Sequence, residues 1–203
     1  LALALYRRYE SADMRQAVAL LDEAVREDPD YALGHADLAE CCVQMVCKHW
    51  DRDDAWLRHA EEAARRALAL APSLPEGHRA LGHLLMHQKR PNLAMSEFHR
   101  AVELAPRYAD GLLKLGNACL FLGDASRAEI FSRRALSVDP DDLRALTALV
   151  LILYRQGRHA ECRETARRAR AMSSAESTRC LSLRSLIAQP PTSRENRSMT
   201  MAR

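Results

Sequence analysis

The chain has 203 residues, 48% hydrophobic and 28% charged, a balance too apolar for a disordered chain and too charged for a membrane protein. With 5% aromatic residues and seven glycines, a turn-rich β-sandwich is disfavoured. A net charge of +3 does not by itself point to nucleic acid, and the most apolar stretch, Leu146 to Tyr154, falls short of the roughly 20 residues that cross a bilayer.

At the start, Leu1-Ala2-Leu3-Ala4-Leu5 has neither an initiator Met nor a basic run ahead of its apolar part, so it does not read as a signal peptide. The helical pattern is already under way there, and we expect further sequence upstream. Ala17 and Ala24 then stand seven apart, with Pro29 five residues later. The same spacing returns at Ala60, Ala67 and Pro72, at Ala94, Ala101 and Pro106, and at Ala128, Ala135 and Pro140. The prolines are separated by 43, 34 and 34 residues, and one more step of 34 reaches Ser174, with Cys162 and Ala169 at the small positions.

Seven residues are two helical turns, so each alanine pair lies on one helix face and lets a neighbouring helix come close. Proline past the helix end stops the hydrogen-bond ladder. Upstream of each pair runs a second amphipathic segment, with Leu81, Gly82 and Leu85 recurring as Leu115, Gly116 and Cys119, then as Leu149, Val150 and Leu153. Between the two fall turn signals at Lys89-Arg90-Pro91-Asn92, Gly123-Asp124 and Gln156-Gly157-Arg158. Each unit therefore reads helix, turn, helix, proline. Two short helices cannot bury enough apolar surface alone, so the units must stack. The expected organisation is a single array over 1–187, with units at about 1–31, 32–74, 75–108, 109–142 and 143–174. A closing helix is expected at 175–187 and a flexible tail at 188–203.

This pattern resembles the tetratricopeptide repeat (TPR) family over about residues 1–174. In 75–108 the signature positions are filled by Leu81, Gly82, Ala94, Phe98, Ala101, Leu104 and Pro106. In 109–142 they are filled by Leu112, Leu115, Gly116, Ala128, Ala135, Val138 and Pro140. His78 stands at the family's Trp position, Leu85 at its Tyr position and Ser132 at its usual Phe position. The resemblance implies an all-α fold, a right-handed α-solenoid of stacked antiparallel helix hairpins forming a superhelix. It also implies that first helices line a concave groove for a partner peptide or helix. On that face it places Arg79, His83, Met86, His87, Leu113, Lys114, Asn117, Leu120, Phe121 and Arg144, a basic set over an apolar floor. Such a face favours an acidic or C-terminal carboxylate segment. Lys114, Asn117 and Arg144 fall near the places of the family's lysine/asparagine carboxylate clamp, and Leu113 stands where a lysine is wanted.

The 32–74 unit carries nine extra residues near 45–54, close to Trp50 and Trp56. We expect a lengthened helix pair whose tryptophans cover an apolar edge. Cys42, Cys47 and His49 raise a zinc reading, but their spacing fits no known ligand pattern and a fourth ligand is not evident. His83 and His87 stand four apart without the Glu of a metalloprotease helix, and read as polar residues on a solvated face. No nucleophile elbow or phosphate loop is present. Arg65-Arg66, Arg133-Arg134 and Arg167-Arg168 share helices with Glu61-Glu62, Glu129 and Glu161, which reads as solvated i,i+4 pairing rather than nucleic-acid binding.

The expected function is a non-catalytic protein–protein interaction scaffold in the cytoplasm, with no cofactor, metal, nucleic acid or membrane partner. Six cysteines without a paired framework agree with reduced thiols. A second reading is a C-terminal repeat segment of a larger bacterial signalling or regulatory protein, such as a kinase, cyclase or transcriptional regulator. A third is a zinc-binding or enzymatic protein. Oligomeric state stays open, since exposed repeat ends can self-associate.

Overall fold

The computed structural model describes residues 11–173 apart from 49 and 52. The expected closing helix at 175–187 and tail at 188–203 lie outside the described residues. Among those described there are nine helices and no strand. They are α1 (Ser11–Glu27), α2 (Ala32–Cys47), α3 (Ala55–Leu70), α4 (Pro75–His87), α5 (Pro91–Leu104), α6 (Ala109–Phe121), α7 (Ala125–Val138), α8 (Leu143–Arg155) and α9 (His159–Ser173).

Two compact units divide after Pro140. In the first, α1 packs on α2, and the hairpins α2/α3, α4/α5 and α6/α7 follow one another. The first helices of these hairpins also pack in sequence, α2 on α4 and α4 on α6. The second unit contains the α8/α9 hairpin. The fold class is the expected one: all-α, built of stacked antiparallel helix pairs.

The small positions explain the close packing. Ala17, Ala60, Ala67, Ala94, Ala101, Ala128, Ala135 and Ala169 are fully buried. Gly82 allows a close approach: a Cβ there would stand 2.6 Å from Cε1 of the buried Phe98. At the matching pair one repeat on, Gly116 faces Ser132, whose buried hydroxyl has no hydrogen-bond partner.

The turns inside the hairpins repeat as faithfully as the helices. Lys89, Gly123 and Gly157, spaced by 34, all take left-handed φ values of 59°, 86° and 73°. The next residue then donates its backbone N–H back across the helix end: Arg90 to the Leu85 carbonyl, Asp124 to that of Cys119, and Arg158 to that of Leu153, at 2.9–3.0 Å. This is a Schellman closure, which satisfies carbonyls the helix leaves open. Glycine adopts the left-handed conformation without penalty, whereas Lys89 does so with a Cβ. The helices that follow begin with Pro91 at the first turn, or with Asp124 capping the Arg127 N–H at 2.9 Å. His35 and His78 mark another recurrence, each donating from Nε2 to the carbonyl of the preceding proline, Pro29 or Pro72, at 3.0 and 2.9 Å.

The nine extra residues are shared between helix and loop. They lengthen α2 and α3 to 16 residues each, against 13 in α4 and 14 in α5, and the rest lie in the connection. Trp50 and Trp56 are partly buried against the core formed by α1 to α4. Arg15 on α1 reaches Asp51 in that connection at 3.1 Å.

Candidate functional site

The packed row of first helices brings charged residues from three hairpins onto one carboxylate. Glu40 on α2 is 2% exposed. Its Oε2 lies 2.8 Å from Arg79 Nη1 of α4. Its Oε1 receives Lys114 Nζ of α6 at 3.0 Å and Gln44 Nε2 of its own helix at 3.1 Å, and His83 Nδ1 of α4 lies 3.0 Å away. Lys114 Nζ and His83 Nδ1 are 2.9 Å apart because both converge on that oxygen. The ammonium only donates, and the His83 ring has two neutral tautomers here: protonated at Nδ1 it donates to Glu40, and protonated at Nε2 it accepts from Lys114 at Nδ1. In the first tautomer Nε2 keeps its lone pair, and it faces Cys47 Sγ at 3.6 Å.

The electrostatics follow from burial and these neighbours. Burial pushes the Glu40 carboxyl up, but His83, Lys114 and Arg79 together pull it further down, well below the ordinary carboxylate range. Burial lowers His83, and Lys114 and Arg79 add to the effect against Glu40. Burial also lowers Lys114, partly offset by Glu40. Asp37, one turn before Glu40, has its Oδ1 3.8 Å from Arg79 Nη2. Burial raises Asp37 to about 6 despite Arg79, helped by Glu76, Glu40 and Asp110.

This arrangement corrects the expectation of an open basic face. Arg79 is 4% exposed, and with His83 and Lys114 it is turned onto Glu40 rather than toward a guest. His83 is therefore not a polar residue on a solvated face. Leu113 and Leu120 belong to the core, at 4% and 8% exposure, instead of forming a groove floor. Met86 and His87 are half-buried, Asn117 is exposed, and Phe121 is 66% exposed. Arg144 lies in the second unit, where its Nη2 is 2.9 Å from Asp142 Oδ2.

Sequence reasoning missed Glu40, Asp37 and Gln44, and weighed Cys47 only as a zinc ligand. A signal was present, because Glu40, His83 and Asn117 each stand eleven residues after a repeat proline (Pro29, Pro72 and Pro106) and so share one register position. The zinc reading gains no set of ligands. Cys42 is fully buried, with its thiol pushed up to about 12 by burial and Asp22, and His49 lies outside the described residues. Among the described residues no group of three or more His, Cys, Asp or Glu side chains could hold a metal ion.

A fold of stacked helix hairpins with small residues at fixed spacing and a proline closing four of the five units defines a helical-repeat protein. Residues 113–177 match the family model described as tetratricopeptide repeat, which identifies this part of the chain as tetratricopeptide repeat. Solved structures agree in fold. TTC0263, a thermophilic TPR protein of Thermus thermophilus, is 22% identical with a TM-score of 0.71, over 92% of this chain and 93% of its own. PilF of Pseudomonas aeruginosa is 21% identical with a TM-score of 0.62, over 84% of this chain and 72% of its own. YrrB, a TPR protein with an unusual peptide-binding site, is 19% identical with a TM-score of 0.52, over 84% and 82%. Comparison with curated proteins gives no match. Tetratricopeptide repeats generally mediate protein–protein interactions.

Proposed function

We propose that the chain is a non-catalytic scaffold that takes a segment of a partner protein along its row of first helices. The supporting observation is the exposed pair Asn117 and Phe121 on α6, beside the partly buried Lys114. A large aromatic side chain left 66% exposed next to a polar amide is the kind of surface that binds peptide. YrrB, a structural relative, carries a peptide-binding site by its own description, which supports the same use of the fold here.

The expectation of an acidic or C-terminal carboxylate segment rests on open cations at Arg79, His83 and Lys114. Those groups face Glu40, so this partner chemistry keeps support from the exposed Asn117 alone. The scaffold is assigned to the cytoplasm, in keeping with free thiols at Cys41, Cys42, Cys47, Cys119 and Cys162. Among the described residues no helix is long and apolar enough to cross a membrane.

The test is a peptide-display selection on the full chain, followed by affinity measurement with free-acid and amidated versions of the selected peptide. Asn117→Ala with Phe121→Ala should weaken binding at least tenfold, and Ile130→Ala on α7 should leave it unchanged. Equal affinity for wild type and the Asn117/Phe121 variant would remove the assignment.

A further inference from the structure

Cys47, the last residue of α2, holds its Sγ 3.6 Å from His83 Nε2 on α4. Behind the ring, Glu40 Oε1 lies 3.0 Å from Nδ1, and the tautomer that donates to it leaves the Nε2 lone pair directed at the thiol. A thiol, a base within reach and a carboxylate orienting that base are the parts nucleophilic sulfur chemistry requires. The other described cysteines differ. Cys41, Cys42 and Cys119 are at most 2% exposed, and the half-buried Cys162 directs its thiol at the Val150 carbonyl at 3.5 Å, an acceptor that cannot take the proton.

We propose that Cys47 is a modification site for hydroperoxides, with His83 as its base and Glu40 as the positioning residue. The inference does not rest on the scaffold reading. Burial pushes the Cys47 thiol up, against the pull of Lys114 and Lys48, so the thiolate forms by transfer to His83 rather than by standing ionisation. In the step, the Cys47 S–H proton moves to His83 Nε2 and the sulfur attacks one peroxide oxygen. The S–O bond forms as the O–O bond breaks, and the departing hydroxide takes the proton from His83 and leaves as water. Sulfur is oxidised to the sulfenic acid, peroxide is reduced, and His83 returns to its neutral form.

The experiment treats the folded full chain with hydrogen peroxide and a sulfenic-acid trap, and follows each cysteine by peptide mass spectrometry. Cys47 should react at least tenfold faster than Cys162, and His83→Gln should bring Cys47 down to the Cys162 rate. The wild-type comparison needs no variant to fold: equal rates at Cys47 and Cys162 overturn the proposal. A rate at Cys47 unchanged by His83→Gln, in a variant with wild-type helical content, overturns it as well.

Discussion

Lys114 Nζ stands 3.0 Å from Glu40 Oε1 although 74 residues separate the two in sequence. The contact links the first helices of two hairpins that flank α4, while Arg79 and His83 join the same carboxylate from between them. A buried carboxylate matched by several donors is costly to unmatch. Glu40→Leu should lower stability by about 3–5 kcal/mol, because it leaves buried cations without their counter-charge. Urea unfolding followed by circular dichroism would measure this, and a loss under about 1 kcal/mol would contradict the cluster's role.

Asp37 gives a pH dependence of known sign. Its folded pKa of about 6 is above its ordinary 3.8, so the stability it contributes is full at low pH and is lost as pH rises through 6. Asp37→Asn cannot ionise, and should be more stable than wild type at pH 8 by up to about 3 kcal/mol. The difference should vanish by about pH 4. Glu40 has the opposite sign, since its lowered pKa supplies stability above the ordinary carboxylate range and loses it as pH falls. Thermal unfolding of both chains across pH 4–8 would separate the two.

Lys89 carries a left-handed φ of 59° where the two later repeats have Gly123 and Gly157. Lys89→Gly should therefore stabilise the chain by about 1 kcal/mol, even though glycine loosens the unfolded state. A lowered urea midpoint would show that the Lys89 side chain contributes more than its backbone costs.

The matched pairs Gly82/Phe98 and Gly116/Ser132 predict opposite effects of small changes. Gly82→Ala drives a methyl into the Phe98 ring and should cost about 1–3 kcal/mol. Ser132→Ala removes a fully buried hydroxyl that has no partner, and should raise stability by about 1 kcal/mol. Differential scanning calorimetry would report both signs.

The repeat was legible because its determinants are local. Alanines seven apart, a proline five later and a turn signal inside each hairpin are set by helix geometry alone, and the buried alanines lie where that spacing puts them. The ionic cluster was not legible, since Glu40 meets Lys114 only after two hairpins have stacked between distant stretches of chain. The family resemblance places Arg79 and His83 on an open face, yet the carboxylate at the preceding repeat turns them inward. The position of the insertion is readable from the proline spacing, but its division between longer helices and loop depends on Trp50 and Trp56 finding the core.

Amide hydrogen exchange of the full chain, with and without a selected peptide, tests the central claim most directly. Binding along the first helices predicts slowed exchange in α2, α4 and α6, greatest around Asn117 to Phe121, with α3, α5 and α7 unchanged. Slowing confined to α3, α5 and α7 would contradict it.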